Sequence, residues 1–152
     1  MLNRGPGRLQ AKTQKTLNPV GLKLSFQRDG QGARASFTLG ENHQGEPGLA
    51  HSGILALLLD EAMGWIARHG AGVNSVTAEM DIEYRRQAKI GEPLLVSCRI
   101  IKDSRRLLKI AARIEGADGT LVAEGNCLQY VVSSNPDRGA PDYPGEPGTA
   151  VG

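Results

Sequence analysis

The sequence predicts an α+β fold in which an antiparallel sheet of about six strands wraps around one long central helix. Three observations lead there. A single Pro-free stretch rich in Leu and Ala, from His51 to about His69, has the length and composition of a core helix. Six other segments alternate apolar and polar residues with the period of a half-buried strand. The last four of these are joined by short turns with no crossover helix between them, which excludes a doubly wound parallel sheet.

Residues 1–16 are polar and without periodicity, and are expected to be disordered. Asn18-Pro19-Val20-Gly21 is turn chemistry. Leu22, Leu24 and Phe26 alternate with Lys23, Ser25 and Gln27, which predicts a first strand. Asp29-Gly30-Gln31-Gly32 reverses the chain into a second, with Ala33, Ala35, Phe37 and Leu39 on one side. A loop with Gly45, Pro47 and Gly48 delivers the chain to the helix, where His51 or Ser52 supplies the N-cap, Ser being the better cap by preference. Gly70 and Gly72 end the helix. Val76, Ala78, Met80, Ile82 and Tyr84 are expected on the buried face of a third strand. Leu94 to Ile100, Leu108 to Ile114 and about Thr120 to Val132 make the last three, with Asp118-Gly119 as a hairpin turn. The domain is thus expected over 17–133, and the Pro- and Gly-rich tail, 134–152, is expected to be disordered.

The helix itself is unusual. At 3.6 residues per turn, Gly53, Ala56, Asp60, Gly64 and Ala67 share one face, and every member but Asp60 is tiny. The other faces carry Ile54, Leu55, Leu58, Leu59, Trp65 and Ile66, so the helix is expected to be buried. Asp60 is then a carboxylate in an apolar setting, with room for a ligand or another backbone beside it. Glu61 is rotated about 100° away, facing other surroundings, and reads as a salt-bridge partner. A wet edge on an ordinary amphipathic helix would account for the same residues.

The totals narrow the classes. A chain of 152 residues suits one domain, and 18 Lys+Arg against 16 Asp+Glu gives no argument for nucleic acid. No apolar run reaches membrane-spanning length, and the first residues lack the apolar core of a secretory signal. Cys98 and Cys127 lie in strand-like runs without metal-ligand spacing and read as buried free thiols, which fits a cytoplasmic protein. No metal cluster, dinucleotide fingerprint or phosphate-cradling Gly loop occurs, so no cofactor is expected. With two Phe, one Trp and three Tyr, a pocket walled by aliphatic side chains is expected over an aromatic one. A curled sheet around one helix leaves a broad face and an edge uncovered, which argues for self-association.

Four motifs fall in a recognisable order: Asn18-Pro-x-Gly-Leu22; His43-Gln44-Gly45-x-Pro47-Gly48; His51-Ser-Gly-Ile54 with Asp60-Glu-Ala62 following; and Thr77-Ala-Glu79 with Tyr84-Arg85-Arg86. Over about Asn18 to Val132 the chain resembles the hotdog-fold acyl-CoA thioesterases, in particular the phenylacetate-degradation type. Ser52 stands where that family's turn has its first Gly, and Gln87 where Pro is usual after the Arg pair. The resemblance implies hydrolysis of an acyl-CoA thioester, with Asp60 as general base or nucleophile and the backbone N–H of Ser52 or Gly53 facing the thioester oxygen. It implies that Thr77 places the water, and that His43 and Gln44 orient water or line the acyl pocket. His51, a turn residue that hydrogen-bonds backbone, and Glu61 would border the substrate. Arg85 and Arg86, with Lys89, Lys102, Arg105 and Arg106, are the candidates for the phosphates of coenzyme A. The partners implied are acyl-CoA and a second copy, in a homodimer or homotetramer with its site at the subunit interface, and neither nucleic acid nor membrane. The alternative on the same fold is a module that binds or senses an acyl thioester without turning it over.

Overall fold

The computed structural model describes Leu22 and residues 24–134. The segments expected to be disordered, 1–16 and the tail beyond 134, lie outside the described residues, as does the turn at 18–21. Among the described residues there are six strands and one α-helix: β1 (Gln27–Asp29), β2 (Gly32–Thr38), α1 (Ser52–His69), β3 (Val73–Tyr84), β4 (Pro93–Asp103), β5 (Leu107–Gly116) and β6 (Leu121–Ser134). All six strands form one antiparallel sheet in the order β1-β2-β4-β5-β6-β3.

The strands earn their places by alternation. Leu94, Val96, Cys98 and Ile100 on β4, and Leu108, Ile110, Ala112 and Ile114 on β5, bury their side chains against α1, while their neighbours face the far side. From the helix, Leu58, Leu59, Ala62, Met63 and Ile66 are fully buried in the same core. At ~1.5–3 kcal/mol for each large apolar side chain removed from water, this layer dominates the stabilisation. The helix is not buried all round, however. Gly53, Leu57 and Gly64 are exposed and Asp60 is half-buried, so one stripe of α1 stays open.

Four differences from the sequence reading matter most. The first strand is shorter and later: β1 pairs only over Gln27–Asp29, and Leu24 and Phe26 precede it unpaired, packed on the core with buried Leu22. Those apolar side chains serve the helix surface, so the ladder begins only where the chain turns back at Gly30, φ 63°. The N-cap is His51, at φ −69° and ψ 134°, whose Nδ1 accepts the Gly53 N–H at 2.8 Å; Ser52 is the first helical residue. β6 runs two residues further than expected, because Ser133 and Ser134 pair with Asn74 and Val73 and the Asn74 amide donates to Ser133 Oγ at 2.9 Å.

The fourth difference shapes the site. β3 pairs with β6 from Val73 to Tyr84, but the register shifts between Thr77 and Glu79, leaving Ala78 as the extra residue of a bulge. A single extra residue reverses the facing of everything beyond it. Val73, Ser75 and Thr77 therefore share the helix side with Met80 and Ile82, while Val76 is 54% exposed on the other side. The expected placement of Val76 and Ala78 on the buried face is corrected by this bulge. On the far side of the sheet, Val76 pairs with exposed Tyr130, and Tyr130 with exposed Leu107.

Candidate active site

The bulge turns Thr77 toward α1, and its hydroxyl donates to Asp60 Oδ1 at 3.3 Å. Asp60 sits two turns into the helix, where its side chain is no cap and competes for no backbone group. Both residues line an open cavity of about 690 Å³ together with Glu61, Gly64, Ser75 and Gln129. Asp60 and Glu61 thus face one space, not two as the helical rotation suggested. A Cβ placed on Gly64, one turn after Asp60, would meet no atom within 4 Å.

The far wall is aromatic. Trp65 lies between Phe26, ring centroids 5.5 Å apart, and His69, 4.5 Å apart. Leu22, Leu24 and Val73 complete it, and Arg68 stands beside His69 in the last helical turn. The aliphatic lining expected is here a mixed one: Leu22, Leu24 and Val73 stand with the chain's one Trp and one of its two Phe. Composition could not show this, because it is blind to where a scarce residue is placed.

A second concavity, of about 430 Å³, lies at the helix N-terminus, bounded by Gly45, His51, Ser52, Tyr84, Arg85 and Gln87 among others. The Gly53 N–H is occupied by His51 Nδ1, whereas the Ser52 N–H finds no acceptor among the described residues. The Tyr84 hydroxyl donates to the Ser52 carbonyl at 3.1 Å and ties the end of β3 to the helix start. A free amide at the positive end of an 18-residue helix is suited to negative charge.

The other residues singled out from the sequence are placed as follows. His43 ends a 3-10 turn, Glu41–His43; its Nδ1 accepts the Gly40 N–H at 2.9 Å, its ring meets Phe37 edge-on, and its carbonyl accepts the His51 N–H. Gln44 Oε1 accepts the Gly48 N–H. Within one chain neither borders the Asp60 cavity. Arg85 pairs with Glu83 and with Glu124, the latter at 2.7 Å. Arg86 is held by Glu92 at 2.6 Å, by Thr120 and by the Gln87 carbonyl. Its guanidinium braces the loop between β3 and β4, so both arginines are engaged by carboxylates, Arg85 being the more exposed of the two.

The thiols stay protonated near neutral pH. Burial pushes Cys98 up to about 12 and Cys127 up to about 11, with the Asp60 charge adding to the Cys127 shift. Neither is an activated nucleophile. Among the described residues no group of three or more His, Cys, Asp or Glu could hold a metal ion, and no helix is long and apolar enough to cross a membrane.

Comparison with known sequences gives a match to the thioesterase superfamily over residues 47–123. The chain belongs to that superfamily. The match begins just before the helix and runs into β6, so it takes in Asp60, Thr77 and the helix N-terminus. Among curated proteins, acyl-coenzyme A thioesterase 13 of mouse is 30% identical over 94 residues, and the human protein 28%. These alignments cover 60% of this chain and 66% of each relative. Among solved structures, a hypothetical thioesterase of Streptococcus pneumoniae, crystallised with coenzyme A, superposes with a TM-score of 0.70 at 18% identity, covering 74% of this chain and 91% of its own. A conserved protein of Pseudomonas aeruginosa has a TM-score of 0.66 at 29% identity, covering 74% and 90%. The hotdog architecture, one antiparallel sheet curled on one helix, is common to these neighbours and to this thioesterase-superfamily chain.

Ser75, Gln129 and Trp65 are among the residues bordering the superfamily member's cavity that the sequence reading did not assign to the site. Ser75 and Gln129 sit in alternating strands where a polar residue reads as solvent-facing. Gln129 gave one usable signal, since strict alternation along β6 puts it on the inward side with Cys127 and Gly125.

Proposed function

We propose that this chain hydrolyses an acyl-CoA thioester to the free acid and coenzyme A. The observation that carries the reading is the Asp60 carboxylate, held by the Thr77 hydroxyl at the open side of a cavity large enough for an acyl group. Asp60 acts as general base on a water, with direct attack by the carboxylate as the other route. The water oxygen bonds to the carbonyl carbon and its proton passes to Asp60. The resulting oxyanion is stabilised by the Ser52 N–H and the helix dipole. Collapse breaks the C–S bond and releases the thiolate of coenzyme A, which then takes up a proton. Arg85, at the mouth of the N-terminal concavity, meets the anionic carrier.

This chemistry requires two copies. Asp60 and Ser52 are eight residues apart on one helix, which at 1.5 Å per residue separates them by ~12 Å along its axis. Each must come within ~3 Å of one carbonyl group. The open stripe of α1, with Gly53 and Gly64, gives a second helix room to approach, so that Asp60 of one copy faces the helix N-terminus of another. The exposed Val76–Tyr130–Leu107 strip offers a further contact between sheets, and the assembly we propose is a homodimer or a homotetramer of cytoplasmic location.

The test is thiol release from a panel of acyl-CoAs. Asp60→Asn keeps the acceptor for Thr77 and removes the base, so turnover should fall ~10²–10⁴-fold with acyl-CoA still bound. Glu61→Gln should cost far less. Binding of an acyl-CoA without any turnover by the wild type would replace the enzyme with an acyl-thioester sensor, and Ser52→Gly would then be the informative reversal.

A further inference from the structure

Among the described residues Gln129 is one of two buried polar side chains, 2% exposed, the other being Asp103. It lies on β6 directly across from Thr77 and borders the Asp60 cavity. Its Oε1 accepts the Ser75 hydroxyl at 2.5 Å, and its Nε2 donates to Cys127 Sγ at 3.6 Å. A primary amide has two N–H donors. The second has no acceptor among the described residues. Turning the amide over changes nothing in this count: Nε2 would then donate to Ser75, Oε1 would accept the thiol of Cys127, and one N–H would still be unused. A buried donor without an acceptor costs ~1–3 kcal/mol and is normally met by water or ligand. The cavity in front of it is where that partner must sit.

We propose that Gln129 is a positioning residue of this site, its free amide N–H holding the water that Asp60 activates. The inference rests on the thioesterase reading above. A water has two lone pairs and two protons. One lone pair accepts from Gln129, one proton is directed at the Asp60 carboxylate, and the remaining lone pair is left for the thioester carbon. A neutral donor suits this role, since it orients the water without competing for its proton. Ser75 fixes the amide plane, and Thr77 fixes the carboxylate from the same face of β3.

The experiment compares Gln129→Met with Gln129→Glu in the full chain. Gln129→Met keeps length and burial and removes the amide, both the N–H donor and the acceptor of the Ser75 hydroxyl. We expect kcat to fall ~10–100-fold with KM within about threefold and the melting temperature held, because misplacing a reactant by ~1 Å can cost ~10²-fold. Gln129→Glu sets a second carboxyl on the same cavity, and the two carboxyls then titrate as a pair, so the acid limb of the kcat–pH profile should move upward. Glu61, Arg68 and His69 from α1 and Cys127 from β6 are the other titratable groups around the cavity, and all are unchanged in both variants. A merely structural role predicts the reverse: a lower melting temperature with kcat per folded molecule and the acid limb unmoved, and that result overturns the inference. Wild-type turnover that is lost in Asp60→Asn establishes the underlying reading separately. Without it both fall, whereas its presence beside an unaffected Gln129→Met sinks Gln129 alone.

Discussion

Ser52→Pro removes one hydrogen atom that matters and little else. Ser52 is the first helical residue, the position where Pro is tolerated because its missing N–H has no intrahelical partner. His51, at φ −69° and ψ 134°, already has the extended conformation that precedes Pro. The side chain is exposed and the N–H has no acceptor among the described residues, so stability should change by no more than ~0.5 kcal/mol. Loss of one oxyanion donor costs ~10²–10³ in kcat. The geometry also predicts complementation. Asp60→Asn and Ser52→Pro are each inactive alone, yet a shared site lets a mixed dimer hold one intact pair: Asp60 from one protomer and the Ser52 N–H from the other. Random 1:1 mixing makes half the dimers mixed, each with one working site of two, so about a quarter of wild-type activity should return. Thiol release after co-refolding reads this directly. Recovery no greater than the parents would place the whole site in one chain and refute the ~12 Å argument. Full activity in Ser52→Pro would remove the oxyanion assignment.

Further outcomes follow from the ion pairs and the thiols. The Arg86 guanidinium hydrogen-bonded to Glu92, with help from the Lys89 N–H, holds the Glu92 carboxyl below the ordinary carboxylate range. Its contribution is therefore full above that range and is lost as pH falls through the lowered value. Glu92→Gln should melt below the wild type at neutral pH, and the gap should close in acid; a gap independent of pH would show that charge is not its basis. Cys98 and Cys127, raised to about 12 and about 11 by burial, should resist alkylation at neutral pH in the folded protein and react promptly in denaturant. Counting labelled thiols by mass decides it, and rapid native labelling of either would contradict the packing described.

The helix and the sheet could be read from sequence because both follow a period: Leu58, Leu59, Ala62 and Met63 recur as a helix requires, and β4 and β5 alternate cleanly. β3 could not. Alternation carries no mark of a bulge, so the run Val76, Ala78, Met80 looked like one face when Ala78 in fact separates two. Thr77 reached the candidate site through resemblance to a family, not through its own pattern. Asp60 was legible as an anomaly, a carboxylate among tiny neighbours on an apolar helix. The aromatic wall was not, since Phe26 and Trp65 are brought together by the docking of the segment before β1, a tertiary event. Arg86 illustrates the opposite limit: sequence can locate a cation at a strand end, but not that Glu92, Thr120 and the Gln87 carbonyl already occupy it.

Gly64 can be regarded as a gauge of length. In a helix interior, Gly gives up about 1 kcal/mol relative to Ala. Here the missing Cβ opens onto empty space beside the carboxylate, with no atom within 4 Å, so nothing in the folding of this chain demands the omission. Each carbon added at that one position would intrude on the open stripe of α1 where the proposed second helix approaches, while leaving the fold of the single chain untouched. Longer side chains there amount to a graded series of rulers, by which the closeness of two copies beside Asp60 could be measured.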